Sequence, residues 1–242
     1  MINIYAPYGL GDVAIATSII PFLYRETREN IRFHVMEHNA SILEGIPCVD
    51  VIIRKPHDPE LPEGTLYPTP WQNKQYLGLL PYAYIPQKAV LGKIHNNEPR
   101  PYLFVQPRHR QLIDEMKFEK PICLVETNAV STREVFTDRE IKDMATLLPN
   151  HELIIASKRK VEGFRDCSDI PLLALIPLYE KSDIFISLSS GISCITCASY
   201  KPPRRRLEVS RGEGISCIHM EPKTERFRMK IDLFNELSKP LG

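Results

Sequence analysis

Apolar and polar positions along the first 55 residues fall into blocks of two different periods. Ile2–Ala6 is a short apolar run with the composition of a buried strand. It leads into a loop holding Gly9 and Gly11. From Asp12 to about Arg28 apolar positions recur at helical spacing, so one long helix is expected there. Ile31–Met36 (IRFHVM) and Val49–Arg54 (VDVIIR) are rich in β-branched and aromatic residues and read as strands, with a short helix over residues 40–44 between them. Strand, helix, strand, short helix, strand is the opening of a doubly wound parallel sheet.

The same alternation resumes after residue 106. Residues 108–118 read as a helix and connector, 122–126 (ICLVE) as a strand and 127–133 as a polar loop. A helix over 137–148 opens on Thr137 and Glu140, a capping-box pair. Strands follow at 151–156 and 182–187, with a short helical region at 170–179 between them. The loop Ser189-Ser190-Gly191 opens a further helix reaching about Tyr200. Val209 and residues 215–220 add one or two strands, and Lys230–Leu237 a terminal helix. The pattern divides the chain into an α/β domain at 1–105, a second at 106–228, and a terminal helix at 229–242; in similar folds such a helix packs back across the two domains.

Residues 54–101 break the pattern. They are rich in proline and tyrosine and contain the only tryptophan, Trp71. The segment reads as loops with one or two short elements at the edge of a cleft. Trp71 and Tyr76 are its candidates for stacking on an acceptor ring, against the plainer reading that such aromatics only pack the loops down.

Composition narrows the class. The 242 residues are 43% hydrophobic and 25% charged with a formal net charge of +1, ordinary for a globular protein and no sign of a polyanion binder. No apolar run approaches the 18 residues of a membrane span. The six cysteines are scattered through apolar segments and read as reduced core residues, which points to the cytoplasm. One basic run stands out, KPPRRR at 201–206. It reads as a solvated loop or, through Arg204 and Arg205, as a contact for a phosphorylated glycan or a nucleic-acid backbone.

Two motifs are set aside. His34-Val-Met-Glu37-His38 matches a zinc-peptidase pattern that requires a helix. On a strand the two histidines would stand about 13 Å apart. Cys194-x-x-Cys197 has no second cysteine pair to complete a zinc site and lies in an apolar helix.

The chemistry-bearing positions are Gly9, Gly11 and Asp12 at the first helix start and Ser189, Ser190 and Gly191 at the later one. Glycines let a ligand approach the backbone, and helix N-termini favour anions, so a nucleotide diphosphate between the two loops is the natural ligand. Asp12 also fits a first-turn cap. Taken together, GLGDVAIATSIIPFL and the stretch from Pro171 through LYEKSDIFISLSSGISCITCAS resemble the two sequence motifs of the ADP-heptose:lipopolysaccharide heptosyltransferases, glycosyltransferase family 9.

The resemblance implies a GT-B-like fold: two Rossmann-like doubly wound domains facing a cleft, with acceptor on the N-terminal side, nucleotide sugar on the C-terminal side and no essential metal or cofactor. It places Asp12 as the base that deprotonates the acceptor hydroxyl. Thr127, Asn128 and Arg133 fall on a phosphate-contacting loop, Glu162 on an acid contacting the nucleoside, and Ser189, Ser190 and Gly191 on the D-S/T-G loop. Two positions depart from the pattern: the loop's aspartate is Ser189 and its histidine Cys194. The chain is also short for the family, which implies a trimmed acceptor domain. Arg133 and Lys158 are the cations available to neutralise a leaving diphosphate.

The expected function is transfer of a sugar from a nucleotide-diphosphate sugar to a hydroxyl, with inversion. Two acceptor classes remain open, a glycan such as lipopolysaccharide and a hydroxylated base in DNA. The rival readings are a non-catalytic module binding a nucleotide sugar or phosphate, motivated by Ser189 and Cys194, and an NAD-dependent oxidoreductase with Glu37 as its ribose acid.

Overall fold

The computed structural model describes residues 1–55, 58, 60–77, 79–95, 99–129, 134–157, 159–210 and 224–239. The chain opens with strand β1 (Ile2–Ala6), helices α1 (Leu10–Ala16) and α2 (Ile20–Thr27), and strand β2 (Ile31–Met36). The short helix α3 (Glu37–Ala40) and strand β3 (Val49–Arg54) follow. The three strands pair in parallel in the order β1-β2-β3. On the other flank of β1, Leu66 bridges Ile4: its N–H donates to Asn3 O at 2.8 Å and its carbonyl accepts from Tyr5 N at 2.9 Å. β1 is therefore central, and the chain passes from one side of it to the other.

The single helix expected from Asp12 to Arg28 is broken in two. Pro21 has no N–H, and its ring crowds the carbonyl four residues earlier, that of Thr17. Thr17–Ile19 form a 3₁₀ turn at that place. The segment after β3 holds more structure than its prolines suggest. It contains 3₁₀ turns at Pro70–Gln72, Lys74–Tyr76 and Tyr82–Tyr84, and then helix α4 (Ile85–Leu91). Pro86 sits in the first turn of α4, where proline is tolerated, and Gly92 ends it at φ 70°.

Helix α5 (Pro107–Glu115) leads to strand β4 (Ile122–Val125). The polar loop expected next carries a small antiparallel pair, β5 (Asn128–Ala129) and β6 (Glu134–Val135). Helix α6 (Asp138–Leu147) is capped as the sequence implies. Thr137 Oγ1 accepts from Glu140 N at 3.2 Å, and the Glu140 carboxylate takes the Thr137 N–H at 2.7 Å. Then come β7 (Glu152–Ile155), β8 (Arg165–Asp166), α7 (Leu175–Lys181), β9 (Ile184–Leu188) and α8 (Gly191–Thr196). The last elements are β10 (Arg205–Val209), β11 (Glu225–Phe227) and α9 (Lys230–Leu237). The strand expected at 215–220 lies outside the described residues.

The second sheet is parallel, in the order β11-β10-β9-β4-β7-β8. The chain runs outward from β4 to β8, returns to the opposite flank of β4, and runs outward again through β9 to β11. That is a doubly wound sheet with its reversal between β4 and β9. Both faces are covered, so its central strands are apolar throughout and period-two alternation sorts their side chains. Cys123, Val125, Ile184 and Ile186 pack on one face with α6 and α9; Ile122, Leu124 and Phe185 pack on the other with α5 and α7. Leu233 and Leu237 of α9 are buried with Leu207 and Val209 of β10. The terminal helix thus spends its apolar stripe in the second lobe's own core. Among the described residues no helix is long and apolar enough to cross a membrane.

The two α/β lobes are joined by a third core. Ile4, Val13, Phe33 and Tyr82 of the first lobe are buried together with Leu173, Ile176, Cys194, Ile195 and Cys197 of the second. At its rim the first turns of α1 and α8 touch through two glycines. A Cβ at Gly191 would stand 2.8 Å from Leu10 Cβ and 3.1 Å from Gly11 N, and one at Gly11 would stand 3.4 Å from Gly191 Cα. Backbone cannot yield as a flexible side chain does. Gly191→Ala should therefore cost about 1–3 kcal/mol, as overpacking does. In a chain of this size that is a loss of roughly 3–10 °C in Tm, to be read by thermal denaturation. A variant as stable as the parent would show that the contact has slack.

Candidate active site

The loop after β1 is shaped by buried side chains. Asn39, on α3 and fully buried, donates from Nδ2 to Tyr8 O at 2.6 Å. Gly9 then caps α1 in extended conformation, and Asp12 Oδ2 accepts the Gly9 N–H at 3.2 Å. This is the local capping role that the sequence allows for Asp12. The second carboxylate oxygen has another partner: the Tyr82 hydroxyl donates to Asp12 Oδ1. Tyr82 is only 6% exposed, and the exposed Trp71 packs against it edge-on at 6.3 Å between ring centroids.

Burial raises the Asp12 carboxyl above the ordinary aspartate range, while the Tyr82 and Gly9 hydrogen bonds act to lower it. Burial, with Asp12 beside it, pushes the Tyr82 phenol up, so Tyr82 stays a hydrogen-bond donor. A half-buried carboxylate of raised basicity, oriented at both oxygens, is suited to accept a proton from a hydroxyl.

Across the α1–α8 contact lies the reversal of the second sheet. Parallel strands that part to opposite sides leave a crevice beyond their carboxyl ends, where ligands of such sheets bind. The groups there are polar and buried. Glu126, directly after β4, is 1% exposed and accepts the Ser190 hydroxyl hydrogen bond on Oε1. Ser190 Oγ in turn accepts from Ile192 N at 3.1 Å and Ser193 N at 3.3 Å, capping α8. Thr127 Oγ1 and Ser157 Oγ, after β4 and β7, share a hydrogen bond of 2.7 Å. Ser190, Glu126, Thr127 and Ser157 form a row of oxygens along the carboxyl edge of three adjacent strands.

The structure sorts the sequence candidates. It brings Gly9, Gly11 and Asp12 to the same junction as Ser189, Ser190 and Gly191. It does not leave room for a diphosphate between the two glycines, because Gly11 and Gly191 face each other. A Cβ on Gly191 would stand 3.1 Å from Gly11 N, so α8 crowds the first turn where an NAD-binding fold seats its pyrophosphate. Thr127 lies in the oxygen row, whereas Asn128 is exposed on β5. Arg133 and Lys158 lie outside the described residues. Glu162 is exposed on a turn beyond β7. Trp71 belongs to the Asp12 cluster through Tyr82; Tyr76 is half-buried in its own 3₁₀ turn.

The basic run lies away from this crevice. Arg205 and Arg206 begin β10, and Arg205 pairs in register with Ile184, the first residue of β9. That is the amino edge of the sheet, opposite the crevice. Arg205 is engaged by Glu225 and by Glu236, each at 3.2 Å. Arg206 is buried, stacked on Tyr179 and Phe185, and donates to Ser193 O at 2.8 Å. Arg204 lies exposed at the same edge.

His34 and His38 do not share a strand: His34 is buried in β2 and bonded to Asn3, and His38 is exposed on α3. Cys194 and Cys197 are buried, and among the described residues no three His, Cys, Asp or Glu side chains gather to hold a metal. Three residues of the site were not singled out from sequence: Tyr82, Glu126 and Ser157. Only Glu126 left a signal, as a carboxylate ending an otherwise apolar strand.

Ser190→Ala removes a helix cap and one partner of a buried carboxylate. The cap alone is worth about 1 kcal/mol, and losing a partner of a buried charged group costs about 1–3 kcal/mol. Chemical denaturation should show a loss in that combined range, larger than for a cap on an exposed helix. A loss below about 0.5 kcal/mol would mean that Glu126 does not depend on Ser190.

No protein-family model matches the sequence, and no curated protein matches it. Solved structures do. E. coli ADP-heptose LPS heptosyltransferase II superimposes with a TM-score of 0.68 at 12% identity, over 94% of this chain and 90% of that one. A glycosyl transferase family 9 protein from Veillonella parvula gives 0.65 at 10% identity, over 100% and 90%. E. coli heptosyltransferase WaaC, solved with ADP-2-deoxy-2-fluoro heptose, gives 0.64 at 11% identity, over 98% and 99%. Two doubly wound lobes meeting at their switch points, and these superpositions, identify a GT-B fold resembling that of the family 9 heptosyltransferases.

Proposed function

We propose that the protein is a glycosyltransferase that moves a sugar from a nucleotide-diphosphate sugar to a hydroxyl acceptor, with Asp12 as general base. The observation that carries this reading is the position of Asp12. It is a carboxylate of raised basicity at the carboxyl end of the central strand of one lobe, beside the switch-point loop of the other. The acceptor oxygen attacks the anomeric carbon as its proton passes to Asp12. The bond from that carbon to the diphosphate breaks, and the diphosphate leaves with the electron pair. A single displacement of this kind inverts the anomeric centre.

The donor belongs on the second lobe, along Thr127, Ser157 and Ser190, with Gly191 at the edge. Arg133 and Lys158 follow the β4 and β7 loops in sequence and are the cations we assign to the leaving diphosphate. Asn128 and Glu162 are the residues we assign to the nucleoside. Trp71 is the aromatic we assign to the acceptor. The solved heptosyltransferase with an ADP-heptose analogue supports a nucleotide-sugar donor without specifying the base or the sugar here.

Asp12→Asn keeps the shape of the side chain and removes its basicity. Transfer should fall by about 10²–10⁴-fold, the usual contribution of a general base, while the thermal shift given by the matching nucleoside diphosphate stays as in the parent. A panel of UDP, ADP, GDP and CMP, with and without EDTA, identifies that nucleotide. In the parent, kcat/KM should decline on acidification at a pH above the ordinary aspartate range, because burial raises the Asp12 carboxyl and only its ionised form accepts a proton. Parent-like turnover in folded Asp12→Asn would remove Asp12 from the role. Absence of both nucleotide binding and turnover in the parent would overturn the transferase reading.

A further inference from the structure

The Tyr82–Asp12 pair asks for more than a capping role. A capping aspartate is complete with its own helix: Asp12 Oδ2 already takes the Gly9 N–H, three residues away. The Tyr82 hydroxyl reaches Oδ1 from 70 residues further along the chain. It comes from the 3₁₀ turn that opens α4, within the segment that interrupts the regular pattern. Its ring is buried in the core shared by the two lobes, braced by Trp71 on one side and near Cys194 of α8 on the other.

We propose that Tyr82 is the positioning residue of the base: its hydroxyl fixes the Asp12 carboxylate in one orientation. The inference rests on the transferase reading for its kinetic consequence. An ionised carboxylate has about four lone-pair directions. Tyr82 and the Gly9 amide occupy one on each oxygen, and the others are left to an acceptor hydroxyl. Tyr82 supplies no proton to the reaction; its phenol is held in the protonated form by burial and by the neighbouring carboxylate. The groups facing the pair are the Gly9 amide from the β1–α1 loop and the Cys194 thiol from α8.

The direction of the effect follows from charge. A hydrogen bond to the carboxylate stabilises the ionised form, and burial opposes it. Tyr82→Phe removes the hydroxyl and keeps the ring, so burial then acts with less opposition. The acid limb of the pH–rate profile should move to higher pH. The limiting kcat should fall about 10- to 100-fold, the equivalent of one hydrogen bond to a charged group. KM for the donor should stay put, because the donor lies on the other lobe. A tyrosine that served packing alone would lower Tm without moving the limb.

The test pairs that profile with the ¹³C carboxyl titration of Asp12, its resonance assigned by its absence in Asp12→Asn. A midpoint higher in Tyr82→Phe than in the parent supports the proposal. Coincident midpoints and acid limbs overturn it. If Tyr82→Phe does not fold, Trp71→Ala loosens the same ring from an exposed position and should move the Asp12 midpoint the same way by less; no movement there overturns the proposal equally. The titration needs no turnover. Failure of the transferase reading would therefore appear as missing turnover in the parent, separate from the midpoint comparison.

Discussion

Everything in the molecule that resembles a site depends on one contact without side chains, Gly11 against Gly191. Parallel sheets put their ligand-binding loops beyond their carboxyl edges, so two such lobes cooperate only if those edges are turned toward each other. Here the first turns of α1 and α8 meet at van der Waals distance, and a Cβ on Gly191 would strike Leu10. Behind that contact Val13, Tyr82, Cys194 and Ile195 share one buried core. Asp12 of one lobe is thus held at a constant distance from the Ser190 loop of the other, since close-packed interiors transmit displacement rather than absorb it.

The contact also changes what the glycines are for. In a dinucleotide fold, glycine at a first turn makes room for a pyrophosphate. Here each of the two makes room for the other helix. The anion-favouring ends of α1 and α8 are partly served from within the protein, by Asp12 on the Gly9 amide and by Ser190 on the amides of Ile192 and Ser193. On the proposed reading, a donor diphosphate would rely on the oxygen row more than on bare helix termini.

Much of this architecture was legible in the residues. Strands β1, β2, β3, β4, β7 and β9 announce themselves by β-branched runs between turns, and Thr137 with Glu140 marks the start of α6. What local pattern could not convey was order in space. Nothing in KPPRRR says that Arg205 starts a strand at the amino edge of the sheet, because two successive arginines, Arg205 held by ion pairs and Arg206 buried on aromatic rings, break the alternation on which strand detection rests. Nor does Leu66, a single bridging residue among prolines, show that β1 has a neighbour on its second flank. Asp12 was legible because glycine spacing and helix periodicity flank it. Tyr82 was not, because its significance is a contact made across 70 residues.

The second lobe offers a sharper version of the same limit. Read along the chain, Ser189-Ser190-Gly191 is a loop that has lost the acid its motif calls for, and the loss suggests a site without its carboxylate. In space the loop has one: Glu126, from the end of the adjacent strand, is buried against it and accepts the Ser190 hydroxyl. β4 and β9 are neighbours because the sheet reverses between them, so residues 64 positions apart in sequence become first neighbours at the crevice. A buried carboxylate is costly unless hydrogen-bonded, and the serine at 190 meets part of that cost while capping α8. The carboxyl group missing from the motif is thus present at the loop, supplied through topology rather than through the sequence of the loop itself.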